Sequence, residues 1–237
     1  MKQTVFRAIT ILREAIGAVI HNRRELILAL IPPAVGSTIT LSMWPVVGQS
    51  KPGQWTLVAA SVVFYALFAV SCHRIILLGR NSLPNEYGVY WSLRETRFAG
   101  WLVVIIVIYA AVSMPLSFVY LVLPRDAYLL QIYWYLTVFV TTYFEGRISM
   151  VLPATAVDQR MDLPNSWNLT RGHGLAIAIA LFIPALIMDM IQIVIVRMIF
   201  ADANYLGRVV DSIFVFPLVA VAVGVLSITY RKVTHQE

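Results

Sequence analysis

Six stretches of mostly apolar residues follow one another along the chain, at residues 26–47, 55–78, 99–123, 128–152, 175–200 and 212–230, and polar residues gather between them. A helical bilayer span needs about 20 such residues. A membrane β-strand needs only about half as many and alternates in polarity. The pattern therefore predicts an all-α polytopic membrane protein with six transmembrane helices. Residues 1–25 read differently. Val5, Ile9, Leu12, Ile16 and Val19 fall on one helical stripe, and Arg7, Glu14 and His21 fall opposite. This predicts an amphipathic helix, with two placements open: in the membrane interface, or against the protein's own spans. It is not expected to be a secretion signal, because Arg7, Arg13 and Glu14 interrupt any apolar region. The organisation expected is an interfacial helix at 1–25, a transmembrane domain at 26–230 and a tail at 231–237.

Composition sharpens the class. Hydrophobic residues make up 59% of the chain and charged residues 13%, with a mean hydropathy of +0.78. Soluble domains carry about 25% charged residues, so a bilayer has to cover this surface. The cations then set an orientation. Only Lys51, Arg125, Arg197 and Arg208 fall at one set of span ends; the other Lys and Arg residues fall at the opposite set. The positive-inside rule predicts both termini in the cytoplasm. The net charge of +6 then faces anionic head groups, and nucleic acid need not be invoked. A lone cysteine, Cys72, excludes an internal disulfide and reads as a small filler at a helix contact.

A period of about 73 residues runs through the chain. Arg24, Arg97 and Arg171 precede the odd-numbered spans at separations of 73 and 74, and Arg74 and Arg147, 73 apart, lie near the inner ends of even-numbered ones. The intervening loops, residues 83–97 and 163–171, both run Leu-Pro-Asn, then Trp-x-Leu, then Thr-Arg. Three tandem helical hairpins inserted with one polarity are the expected plan.

Glu145 and Arg147 interrupt the fourth span. Two residues apart on a helix, they point to different sides, so each needs its own partner. The layout sets them near the inner edge, where an arginine can snorkel. Arg74 and Arg147, with Arg24 and Arg171 on the same rim, are candidate binders of lipid phosphate, which guanidinium grips bidentately; ordinary anchoring and interhelical ion pairs are the competing account.

Residues 146–174, "GRISMVLPATAVDQRMDLPNSWNLTRGHG", carry a resemblance. An Arg-x-Ser-x-x-Leu-Pro helix end leads through a polar loop into Ser-Trp-x-Leu-Thr-x-Gly. This resembles bacterial inner-membrane proteins grouped around the membrane domain of glycerophosphoryl diester phosphodiesterases and YciC-like proteins. The matching residues are Arg147, Ser149, Leu152, Pro153, Ser166, Trp167, Leu169, Thr170 and Gly172, and residues 72–80 match more loosely. The resemblance implies a multi-pass protein of the bacterial inner membrane, in a family of mostly unassigned function. Some relatives carry a following phosphodiesterase domain; none is expected here, since Glu237 comes seven residues past the last predicted span.

The remaining polar residues give sparse chemistry. Asp189 is the deepest acid, 14 residues into the fifth span, with Gln192 on its face and Pro184 five residues before it. It is either a proton or cation site, a structural acid paired with Arg197 or Arg208, or a protonated acid bonded to a neighbouring helix. His21, His73 and His173 fall near the inner ends without metal-ligand spacing, and read as interface residues. Asp158 and Asp162 flank Arg160 in a loop that reads as solvated. Ser149 and Ser166 lack a His-acid pattern. Trp91 and Trp167 read as interfacial anchors, and Pro153 and Pro164 as helix ends. No cofactor or metal is expected. The expected role is non-catalytic: a scaffold, accessory or envelope-maintenance factor touching anionic lipids, a membrane protein partner or a second copy of itself. A small permease using Asp189, with prolines at 32, 33, 45, 115, 184 and 217 breaking its helices, is the alternative, and a lipid-acting enzyme a third.

Overall fold

The computed structural model describes residues 2–85, 87–123, 126–199 and 205–234. Among them the chain is all-helical: α1 (Lys2–His21), α2 (Arg23–Val47), α3 (Lys51–Leu78), α4 (Leu93–Val122), α5 (Ala127–Ile148), α6 (Val151–Ala156), α7 (Leu163–Leu169), α8 (Gly174–Ile199) and α9 (Tyr205–Thr234), with a 3₁₀ turn at Arg80–Ser82. Among the described residues four segments are long and apolar enough to cross a membrane: Lys51–Leu78, Leu93–Tyr120, Gly174–Ile191 and Phe216–Thr234. Segments α2 and α5 are not among them. In α2 the side chains of residues 41, 42, 44 and 45 lie outside the described residues, and the described stretch opens on Arg23, Arg24 and Glu25. Segment α5 carries Gln131, Glu145 and Arg147 among its tyrosines. Apolar side chains along α4, including Val103, Ile106, Val107 and Phe118, are exposed. That is a surface for lipid rather than water.

Helix starts follow local chemistry. Ser92 and Glu95 form a reciprocal cap at the start of α4. Asp126 caps α5, and Asp162 caps α7 by accepting from the Asn165 backbone N–H at 2.8 Å. Pro164 occupies the first turn of α7, where its missing N–H costs nothing. It therefore opens a helix rather than ending one, contrary to the expectation from sequence. Helices α4, α8 and α9 run through Pro115, Pro184 and Pro217 without interruption, so these prolines do not mark the broken helices that a permease reading needs.

Packing is densest toward one end. Ala66, Phe68, Ala69, Cys72 and Ile75 of α3 are buried against Phe98 of α4, Val151, Leu152 and Ala156 of α6, and Phe216, Val219, Ala220 and Val223 of α9. Phe68 and Phe216 meet edge to face at 5.5 Å. His73 is fully buried there rather than interfacial: its Nδ1 shares a 2.8 Å hydrogen bond with Ser227 Oγ, and its ring lies against Phe98. Segment α5 runs antiparallel along α8. Tyr135 meets Asp189, Phe139 meets Phe182, and Gly146 meets Ile177.

Helix α1 packs on α8 and α9. The face it buries is Ala8, Ile11 and Ala15, set one position away from the stripe that the periodicity singled out. Ala15 lies on Gly224, where a Cβ would come 3.3 Å from the Ala15 carbonyl oxygen. Small residues on both sides allow this close approach. Val5, Phe6, Ile9, Ile16 and Ile20 are left exposed. So α1 carries a protein-facing and an outward apolar face together.

Candidate functional site

The resemblance motif folds into one joint. A proline ring clashes with the carbonyl four residues earlier. For Pro153 that residue is Ser149, and the helix breaks there: α5 ends at Ile148 and α6 begins at Val151. The break frees the Arg147 carbonyl and the Met150 N–H from the helical ladder. Ser166, fully buried on α7, satisfies both. Its hydroxyl donates to the Arg147 carbonyl at 2.7 Å and accepts from the Met150 N–H at 3.2 Å. In a lipid environment such groups find no water, so a side chain has to supply the partners.

The Arg147 guanidinium closes the same joint from the other side. It donates to the Trp167 carbonyl at 2.6 Å and to Thr170 Oγ1 at 3.3 Å, and lies 3.6 Å from the centroid of the Trp167 ring. Phe144 stacks on Trp167 at 5.9 Å. Thr170 is fully buried and also donates toward its own helix carbonyls. Two glycines make room. A Cβ on Gly174 would come 2.8 Å from Arg147 Cδ, and one on Gly146 would come 2.9 Å from Ile177 Cγ2. Gly172, at φ +81°, turns the chain from α7 into α8. Ser149 and Leu152 are buried, and Leu169 is half-buried. Among the described residues Arg147 has no carboxylate partner. Its role here is mechanical: it ties α5 to α7 and the start of α8.

Arg74 is engaged differently. Its Nε and one terminal nitrogen donate to the Ser82 carbonyl at 3.1 and 2.8 Å. The other terminal nitrogen reaches the Ala156 carbonyl at 3.0 Å and Asp158 Oδ2 at 3.1 Å. Asp158 sits in the left-handed region, φ +62°, which aspartate tolerates better than most residues. It also receives Arg94 at 3.3 Å. Both arginines singled out for lipid phosphate thus spend their donors inside the protein. Arg24 and Arg171 are exposed, as are Arg97 and Arg160. Trp91 is exposed and donates to Thr96 Oγ1 at 3.0 Å, whereas Trp167 is built into the joint.

A pocket of about 320 Å³ opens between α1, the residue before α8, and the end of α9. Phe6, Arg7, Thr10, His173, Thr229 and Lys232 line it. Sequence reasoning missed it because its cations are about 225 residues apart in the chain and meet only through the α1–α9 contact. Arg7 is exposed, and Lys232 holds Glu14 at 2.6 Å. His173 Nδ1 and Thr229 Oγ1 are buried without a hydrogen-bond partner. Unpaired buried polar atoms are uncommon in folded proteins. Here two of them border one basic pocket.

Asp189 accepts a 3.1 Å hydrogen bond from the Tyr135 hydroxyl of α5. The side chains of Gln192, Arg197 and Arg208 lie outside the described residues. Glu145 borders a separate crevice between α3, α4 and α5, lined also by Val62, Tyr65 and Leu102. Among the described residues no group of three His, Cys, Asp or Glu side chains is placed to hold a metal ion.

The described residues form an all-helical protein with four helices apolar enough to cross a bilayer, as in a membrane protein, and a joint built around an arginine. Comparison with family models, curated proteins and solved structures finds no match to the chain.

Proposed function

We propose that this chain is a multi-pass, non-catalytic protein of the bacterial inner membrane that holds anionic phospholipid at its cytoplasmic end. In this reading α2, α3, α4, α5 with α6, α8 and α9 make six crossings as three hairpins, with both termini inside. The α2–α3, α4–α5 and α8–α9 contacts support that arrangement, as does the parallel course of α3 and α9. The likeness to the glycerophosphoryl diester phosphodiesterase membrane domain and YciC-like proteins rests on the joint around Arg147.

The observation that carries the lipid reading is the pocket between α1 and α9. Arg7, Lys232 and His173 can face a phosphate, with the Thr229 hydroxyl beside them, while Phe6 and the outward face of α1 meet the acyl chains. A guanidinium and an ammonium bind phosphate by charge-assisted hydrogen bonds. Anionic lipids of the inner leaflet draw such clusters with about 1 kcal/mol per cation. Exposed Arg24, Arg97, Arg160 and Arg171 extend the rim. Asp189 serves in this account as a structural acceptor for Tyr135 across α5 and α8.

The test is mass spectrometry of phospholipid retained after purification in mild detergent. The Arg7→Gln/Lys232→Gln variant is expected to retain several-fold less phosphatidylglycerol than the wild type, with zwitterionic lipid unchanged. Equal retention of phosphatidylglycerol overturns the reading.

A further inference from the structure

The α3–α4–α5 crevice has a volume of about 420 Å³. Its walls are Val58, Val62 and Tyr65 of α3, Leu102 and Ile105 of α4, and Glu145 of α5. Small-molecule pockets occupy this size range, roughly 300–1,000 Å³. Val58 and Tyr65 are themselves exposed, so the crevice opens on the lipid-facing surface.

Its depth follows from two helices independently. Arg74 and Arg94 both reach Asp158 and so mark one layer. Tyr65 lies nine residues before Arg74 on α3, which is about 13 Å along the axis. Leu102 and Ile105 lie 8 and 11 residues beyond Arg94 on α4, roughly 12 and 16 Å. The crevice, and Glu145 with it, therefore sits a dozen ångströms or more beyond the arginine layer. That is deeper than the inner-edge position expected from sequence.

At that depth an acid is costly and needs a proton or a counter-charge. Glu145 has neither a hydrogen bond nor an ion pair among the described residues. Arg147 points to the other side of α5, into the joint. The Ser61 hydroxyl beside the crevice is spent on the Leu57 carbonyl. The site thus combines apolar walls, an aromatic ring and one unpartnered carboxylate. That combination selects a body without polar groups that carries one positive charge.

We propose that this crevice binds a lipophilic organic cation, entering from the bilayer, with its charge against Glu145 and its apolar groups against Val62, Tyr65 and Leu102. The proposal is independent of the phosphate pocket, which lies at the other side of the inner end. A saturated lipid chain would need the walls but not the carboxylate, and a bare proton would need the carboxylate but not the volume.

Tetraphenylphosphonium is the probe. Its binding is measured by equilibrium dialysis against the protein in phosphatidylcholine nanodiscs, with protein-free nanodiscs as reference. The wild type is expected to show saturable binding at one site per chain. Glu145→Gln should weaken it at least 10-fold. Because that carboxylate makes no bond, this variant should unfold no lower than the wild type. Leu102→Trp, which keeps the carboxylate and fills the crevice, should abolish binding and carries the test alone should Glu145→Gln not fold. Absence of saturable binding to the wild type, or binding to Glu145→Gln or Leu102→Trp equal to wild type, overturns the proposal.

Discussion

Arg74 and Arg147 stand 73 residues apart and hold corresponding places near the ends of α3 and α5, yet the two joints are built from different materials. At Arg74 the helix continues to Leu78, and the guanidinium meets the carbonyls of Ser82 and Ala156 and the Asp158 carboxylate, whose side chain is 62% exposed. At Arg147 the helix breaks, and the guanidinium meets a carbonyl, the Thr170 and Tyr143 hydroxyls and an indole face, with no acid among the described residues. The difference follows solvation. Near water an exposed carboxylate is cheap to keep and adds little. Deeper, a second charge would have to be desolvated as well, and neutral dipoles with a π face hold a cation at lower cost. Of two arginines 73 residues apart, one is thus held by an ion-pair latch and the other by a structural joint of neutral groups.

That contrast can be broken at its strongest point first. Ser166→Ala removes the one group that pairs both the Arg147 carbonyl and the Met150 N–H. The buried Met150 N–H is then left unsatisfied and the Arg147 carbonyl keeps only the Thr170 hydroxyl at 3.4 Å, which should cost about 2–3 kcal/mol, read as a large fall in the thermal unfolding midpoint in detergent. Ser166→Thr keeps the hydroxyl and should restore part of it. Next comes Gly146→Val, which drives side-chain carbon into Ile177 and should cost about 1–3 kcal/mol by overpacking. It is checked by the same melt and by loss of α5–α8 cross-linking. The smallest effect belongs to the exposed latch. Asp158→Asn should change stability by less than about 1 kcal/mol, with a difference from wild type that shrinks further in high salt. A larger loss for Asp158→Asn than for Ser166→Ala would reverse the assignment of the two joints.

Much of the helical layout was legible in the sequence, because apolar runs of span length leave few alternatives. The predicted boundaries of α2, α3, α4 and α8 lie within a turn or two of those observed. The split of residues 128–152 into α5 and α6 was less visible. Pro153 signals it, but which backbone groups the break frees, and that Ser166 catches them, depends on a contact 13 to 19 residues away. The fate of the arginines was hidden for a related reason. A charge in an apolar run advertises that it needs partners, yet carbonyl oxygens, which have no sequence signature, supplied most of them. His73 shows the limit in the other direction: its position near a span end suggested the interface, and only the Phe98 and Ser227 contacts place it in the core. The α1 stripe was displaced by one position because Ala8 and Ala15 are weakly hydrophobic. Close approach to Gly224 rewards small size instead.

Arg147 is bonded within the fold, and the proposed function assigns lipid phosphate to Arg7 and Lys232 instead. Phosphatidylglycerol retained by Arg147→Gln, counted per chain after gentle purification, separates the two. Arg147→Gln is expected to keep the wild-type count. A loss as large as that of Arg7→Gln/Lys232→Gln would overturn the assignment.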